Sequence, residues 1–314
     1  MDAAASLELS IQRNSIPMIC GPMGCGKSIL IDYVARKLKA STSRVQISEQ
    51  TDTKTLIGMY CCSDTPGVFV WRPGPLVHCM TSGKWLILED VDKGSADLPI
   101  LLSPLLRQAD DSISGLLHPN TGNPVIRHPD FRLILTRRTV GFGTSFSQLN
   151  SVSDIYATYC CMIYMQAMTS SAIERIVCTR FPSVLPIAKR LLAEFALLKN
   201  MSTTSSSDER SVTPRDFLKF CARANSLADF ERNAEGLYLD AIDCFVCSQP
   251  PSQLREKLAI TLGGLFNFTT DRSSDLWKDR KPELYLNTQM TKVIAGRVSI
   301  PAKRSIQWEL QLSR

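Results

Sequence analysis

No stretch of this sequence approaches the ~18 uninterrupted apolar residues that a membrane-spanning helix needs, so no spanning helix is expected. The first residues, Met1-Asp2-Ala3-Ala4-Ala5-Ser6, include an acid and lack an apolar centre, which predicts no secretory leader. No run of like charge resembles a nucleic-acid-binding arm. The 36 Lys+Arg and 30 Asp+Glu leave a net charge of +6, and the basic residues are scattered. Direct nucleic-acid binding is therefore not indicated, although a basic surface for an acidic or RNA-rich partner stays open. Metal-ligand spacing is lacking too. Cys244-x-x-Cys247 has no second CxxC to complete a site and no histidine near it, and its neighbours read as an apolar helix. Buried thiols are expected there, not zinc or redox chemistry. The 11 cysteines, an odd number, are expected to stay reduced in a cytosolic or nuclear setting. No convincing internal repeat is visible.

What is present is an ordinary globular composition: 44% hydrophobic and 21% charged over 314 residues, enough for a sizeable core and about two domains. One stretch organises the rest. Gly21-Pro22-Met23-Gly24-Cys25-Gly26-Lys27-Ser28 fits the phosphate-binding loop G-x-x-x-x-G-K-S/T at every defined position. A short apolar run, Ile16 to Cys20, precedes it and reads as a buried parallel strand. Ser28 to Leu38 follows with apolar residues at helical spacing. The glycines let the backbone curl so that successive N–H groups face an anion, and the helix start aims its positive dipole end at the same place. Lys27 is placed for the β- and γ-phosphates and Ser28 for magnesium. Gly21, Pro22, Met23, Gly24, Cys25, Gly26, Lys27, Ser28 and Ile29 are the expected nucleotide-contacting residues.

Taken in order, residues 1–15 read as a lead-in helix or arm, Ala40-Ser41-Thr42-Ser43 as a turn, and Arg44 to Ile47 as a second strand. Thr51 to Gly58 reads as a short helix. Met59 to Cys62 and Val68 to Trp71 flank the turn residues Asp64-Thr65-Pro66-Gly67, which signals a hairpin over about 59–72. Gly74 to Met80 returns to helix. Leu98 to Leu106 is an apolar helix that Pro99 and Pro104 are expected to break up. Pro119 to Pro124 is a turn cluster that suggests a second hairpin. Phe131 to Thr136 is a strand, Gly141-Phe142-Gly143 opens a loop, and Cys160 to Met165 is a fifth strand. After Thr169 the period becomes helical: Ser170 to Arg180, Val184 to Lys199, Pro214 to Leu227 and Asp229 to Cys247, with a Ser/Thr-rich linker at Met201 to Arg210. Thr213 as N-cap, Pro214 at N1 and Asp216 at N3 make a well-formed helix start. Beyond 250 one helix (Gln253 to Phe266), a polar loop and strand-like pieces near Val293 and Val298 are expected.

Trp85-Leu86-Ile87-Leu88-Glu89-Asp90-Val91-Asp92 is a second landmark, an apolar run that ends in acids about 60 residues after the loop. A phosphate-loop NTPase needs carboxylates on the strand beside the loop, to reach magnesium and the attacking water. Glu89 and Asp90 are therefore the candidate catalytic pair, and Ser28 with Glu89 the candidate magnesium ligands.

The plan resembles the AAA+ family: a three-layer α/β P-loop sandwich with a mostly parallel five-stranded sheet, followed by a small all-helical lid. The hairpin near the second helix is similar to the branch that contains MoxR proteins, dynein and midasin. Gln50 to Tyr60, Phe69 to Leu76, Trp85 to Asp92, Leu135-Thr136-Arg137-Arg138 and Arg180 to Leu185 look like the first AAA+ unit of the midasin family, over roughly residues 10–250. That resemblance implies ATP and magnesium as cofactors, adjoining AAA+ units and the pre-60S ribosomal particle as partners, a nuclear location, and a chain that is one unit plus a connector, either a piece of a longer protein or a shortened relative. It also implies boundaries: an arm (1–15), the α/β domain (16–168), the lid (169–249) and a connector (250–314).

The sequence departs from the family pattern in three places. The family ends its acidic strand Asp-Glu, and here the order is Glu89-Asp90. The shorter Asp90 is expected to fall ~1 Å short of the water, an error that can cost about 100-fold in rate. Asp92 would serve only with a backbone twist. The asparagine that senses the γ-phosphate is replaced, with Thr136 or Arg138 nearest. No arginine finger appears in Asp154 to Tyr159, where Arg137 and Arg138 are stand-ins or structural residues. Arg215 fits the second sensor of the lid, or else is a surface arginine. Two readings stand: an ATPase unit of a remodelling ring, and a nucleotide-binding structural module with little hydrolysis. No guanine-specificity motif supports a GTPase.

Overall fold

Six consecutive buried residues, Ile16–Gly21, form the strand around which the first half of the chain is layered. The computed structural model describes residues 2–65, 67–107, 113–117, 122–139, 155–203, 212–225, 234–247, 253–278, 284–286, 291–295 and 298–301. The chain divides into two compact units, Met1–Thr169 and Ser170–Arg314. The first contains, in order, α1 (Ala3–Gln12), β1 (Ile16–Gly21), α2 (Lys27–Lys37), β2 (Thr42–Gln46), α3 (Thr53–Ile57), β3 (Gly58–Cys62), β4 (Phe69–Pro73), α4 (Pro75–Ser82) and β5 (Trp85–Glu89). A 3-10 turn (Val91–Lys93), α5 (Asp97–Arg107), β6 (Ile113–Leu117), β7 (Pro124–Ile126), β8 (Arg132–Arg138), α6 (Ile155–Tyr159) and β9 (Cys160–Tyr164) follow.

Five strands form one sheet in the order β2-β5-β8-β1-β9, and every neighbouring pair is parallel. Both faces are covered, so the central strands carry continuous apolar runs, such as Trp85 to Leu88 and Leu133 to Leu135, and do not alternate with polar residues there. Met18, Cys20, Leu86, Leu88, Leu133 and Leu135 pack on one face with residues of α4 and α5. Ile19, Ile87, Ile134 and Ile163 pack on the other with Leu7 and Ile11 of α1 and Ile31 and Val34 of α2. This is the three-layer α/β arrangement expected from the sequence. The register sets Gly21 opposite Arg138 and Gln46 opposite Glu89. The carboxyl ends of four strands therefore gather a loop, two acids and their partners at one edge, where open α/β sheets bind ligands.

β3 and β4 pair antiparallel between α3 and α4, as the turn residues predict. The hairpin is seated by Gly74, whose N–H donates to the Ile57 carbonyl at 2.7 Å. A Cβ there would collide with the Thr55 and Leu56 carbonyl oxygens. β6 and β7 form the second expected hairpin.

The second unit has α7 (Ser170–Arg180), a 3-10 segment (Pro182–Ile187), α8 (Ala188–Thr203), α9 (Pro214–Ala224), α10 (Ala234–Ala241) continued by a π turn (Ile242–Val246), α11 (Gln253–Leu265) and α12 (Thr270–Lys278). Three short antiparallel strands follow, β10 (Leu284–Leu286), β11 (Lys292–Ala295) and β12 (Val298–Pro301). Its core is aromatic: Phe195 lies 4.8 Å from Phe217 and Phe220 5.5 Å from Phe245, centroid to centroid. The buried Tyr238 hydroxyl donates towards the carbonyls of Ala259 (3.1 Å) and Ser273 (3.2 Å), tying α10 to α11 and α12.

Some expectations are corrected. α5 runs unbroken with Pro104 inside it. The carbonyl that Pro104 leaves without a helical partner is that of Ile100, a residue exposed enough for water to take its place. β2 begins at Thr42, inside the expected turn, because it pairs with β5 from Thr42 onward. α8 runs to Thr203, past the expected start of the linker, and the remainder of that linker lies outside the described residues, as does Gly141-Phe142-Gly143. The polar stretch after Phe266 contains α12, which buries Ser273 against Gly263 of α11. Cys244 is buried as expected, but Cys247 is exposed.

Candidate functional site

The loop between β1 and α2 turns on two glycines. Gly24 (φ 79°) and Gly26 (φ 99°) hold left-handed backbone that other L-residues rarely adopt. Gly26 is the N-cap of α2 and offers no side chain, so the first N–H groups of the helix receive no side-chain cap and stay available to an anion. A Cβ at Gly21 would lie 2.8 Å from both the Cys25 sulfur and the Met165 carbonyl oxygen, so the loop closes tightly against the end of β9. Cys25 is buried beneath the loop, whereas Met23 and Ile29 are exposed. The Lys27 ammonium bends back over the loop and donates to the carbonyls of Gly21 (2.7 Å) and Pro22 (3.0 Å).

Beside the loop, the Ser28 hydroxyl donates to Glu89 Oε1 at 2.9 Å. Arg44 of β2 donates to the same oxygen at 2.6 Å. The other arm of that guanidinium bonds Asp32 of α2 and reaches the Ser28 carbonyl at 3.4 Å.

Asp90 follows Glu89 in left-handed backbone (φ 57°) and is buried. Its N–H donates to the Thr136 hydroxyl at 3.0 Å. Its carboxylate accepts from Gln46 (2.8 Å) and from Arg138 (2.5 Å). Burial alone would push this carboxyl up, but the bonds from Arg138 and Gln46, helped by the charges of Arg138 and Lys27, hold it below its ordinary value. Asp92 accepts the Arg138 backbone N–H at 3.0 Å, which pins the end of β8 to the turn after β5.

Thus the structure brings together the loop, Lys27, Ser28, Glu89 and Asp90, and separates the roles of two sensor candidates. Thr136 is buried and spends its hydroxyl on the Asp90 backbone, while the Arg138 guanidinium lies on the Asp90 carboxylate. Arg215 belongs to the second unit, exposed in the first turn of α9 above the expected capping box of Thr213 and Asp216. Sequence reading missed Arg44, Gln46 and Asp32. Arg44 and Gln46 stand two apart on one strand, a weak signal until β2 is known to lie beside β5.

The profile of the AAA domain of the dynein-related subfamily matches residues 17–151, and that of the midasin AAA lid domain matches residues 173–269. The chain is an AAA+ module with a midasin-type lid. It is similar to Midasin of Dictyostelium discoideum, 22% identical over 349 aligned residues that cover 94% of this chain and 6% of that protein. Midasin of Giardia intestinalis is 31% identical over 117 residues, 37% of this chain and 2% of that protein. Protein CbbQ of Hydrogenophilus thermoluteolus, 32% identical over 124 residues, shares 39% of this chain and 44% of its own length. The chain thus spans a small fraction of the midasin relatives it matches.

An AAA domain implies a nucleotide, usually with magnesium. The loop fits the phosphates: its glycines leave no side chain in the turn, the α2 amides are uncapped, and Lys27 lies within the loop. Ser28 and Glu89 are hard oxygen donors of the type magnesium takes. The donor set fits the ion in kind, but Glu89 Oε1 already carries Arg44.

Proposed function

We propose that this AAA+ module binds ATP on the Gly21–Ser28 loop and holds it with little hydrolysis in isolation. The observation that carries the binding reading is the uncapped start of α2 behind Gly24 and Gly26 with Lys27 folded over it. Backbone N–H groups from Met23 to Ile29 would take the phosphate oxygens, and Lys27 would turn from its two carbonyls to the β- and γ-phosphates. Ser28 and Glu89 are the residues that would hold magnesium, in competition with Arg44 for Glu89, and the ion when bound draws charge from the phosphates. By the family pattern, Arg215 at the start of α9 is the second-sensor candidate.

Slow turnover is supported by Asp90. Its carboxylate is nearly buried and already accepts from Arg138 and Gln46, and its lowered proton affinity makes it a weak base towards water. By resemblance to midasin, the module would act beside adjoining AAA+ units in remodelling pre-60S ribosomal particles in the nucleus.

Equilibrium binding and single-turnover hydrolysis with the purified chain test this. Wild type is expected to bind ATP, and Lys27→Ala to abolish binding. Brisk turnover by the isolated wild type that Asp90→Asn stops would overturn the holding role, and absence of any nucleotide binding would overturn the function as a whole.

A further inference from the structure

We infer that Arg44 competes with a divalent cation for Glu89 and makes nucleotide binding by this chain largely independent of magnesium. The inference rests on the nucleotide reading above and concerns how the same site is charged. Arg44 lies in the middle of β2, one strand away from Glu89 across the sheet. Its guanidinium donates at 2.6 Å to Glu89 Oε1, the same oxygen that takes the Ser28 hydroxyl at 2.9 Å. With Oε1 taken by these two bonds, a divalent ion held by Ser28 and Glu89 is left the second carboxylate oxygen, and it must share that carboxylate with the fixed positive charge of Arg44.

Arg44 is well placed to resist displacement. One arm of its fork faces Glu89, and the other faces Asp32 and the Ser28 carbonyl, so β5 and α2 both anchor it. The guanidinium keeps its charge at any accessible pH and matches carboxylates by shape. Magnesium sheds its water reluctantly, which weakens it as a competitor for an oxygen already in a charge-assisted bond. A single exposed ion pair is worth little. Here, though, the Arg44 side chain is only 30% exposed and Glu89 22%, and one cation links two carboxylates. Its positive charge stays beside Ser28, the residue after the loop lysine, where a metal would otherwise neutralise the phosphates.

The test is equilibrium binding of a fluorescent ATP analogue to the full chain, in magnesium and in EDTA at matched ionic strength. For wild type we expect Kd to change by less than about threefold between the two, and for Arg44→Gln binding should become dependent on magnesium by about tenfold, the scale of one charge-assisted bond. If Arg44→Gln does not fold by circular dichroism, Asp32→Asn releases the other anchor and should shift binding in the same direction by less. Wild type that binds only with magnesium overturns this inference and leaves the nucleotide reading intact. An Arg44→Gln protein as indifferent to EDTA as wild type also overturns it. Binding in neither condition overturns both.

Discussion

Asp90 shows how one residue's surroundings redirect its chemistry. Its carboxylate is aimed by left-handed backbone, latched through its N–H to Thr136, and neutralised by Arg138. Removing Arg138 would leave a nearly buried charge with Gln46 alone. Arg138→Ala is expected to cost about 1–3 kcal/mol at neutral pH, measured by urea unfolding. The pH dependence follows from the sign of the shift. The folded carboxyl lies below its ordinary value of 3.8, so the stability it contributes is present above that value and is lost as pH falls through the folded one. In Arg138→Ala burial, already the largest single influence, is opposed only by Gln46 and Lys27, so the carboxyl rises and the gap between variant and wild type should narrow as the medium is acidified below about pH 4. A gap that stays constant from pH 7 to pH 3 would refute the Asp90–Arg138 linkage.

Elements depend on a few close approaches that a Cβ would spoil. At Gly74 the chain leaves the β3–β4 hairpin and enters α4 in contact with the carbonyls of α3. Gly74→Ala should force those elements apart and lower stability by about 1–3 kcal/mol, read as a lower unfolding midpoint. Gly26→Ala meets strain of another kind. Its backbone is left-handed, which costs an L-residue about 1–2 kcal/mol, and relief of that strain would turn the α2 amides away from a phosphate. Nucleotide affinity should therefore fall in Gly26→Ala even where the fold survives. In the second unit, Thr213 and Asp216 cap α9 reciprocally. Thr213→Ala should cost about 1 kcal/mol, with the loss confined to that unit in hydrogen exchange.

The molecule as a whole consists of two units with cores of different make, an aliphatic sheet sandwich and an aromatic-rich helical cluster. The nucleotide loop belongs wholly to the first. A ligand that binds only folded protein stabilises it by mass action, about 2.7 kcal/mol at a hundred times its Kd. ATP should accordingly raise the unfolding midpoint of the first unit and slow amide exchange over residues 23–29. Neither effect is expected in Lys27→Ala, so stabilisation by ATP in that variant would point to a site elsewhere.

Much of this was legible in the sequence because the signals are local. The loop is eight consecutive residues, the strands are short apolar runs, and the α9 start is a four-residue pattern, so neighbouring positions determine each one. Other features were not legible. Pro104 reads as a helix breaker because the sequence does not show that the turn it disturbs faces water. The ends of β2 depended on which strand lies next to it. Glu89, Asp90 and Ser28 were recognisable as candidate site residues, and Thr136 and Arg138 as candidate replacements, but which cation meets which carboxylate was not. Arg44 and Glu89 are 45 positions apart, and Asp90 and Arg138 are 48 apart. Only the order β2-β5-β8-β1 makes them neighbours. Electrostatic energy follows distance in space, not separation along the chain. The sequence by itself therefore determined that a phosphate loop and its acids exist, and the tertiary structure decided that those acids are held by arginines.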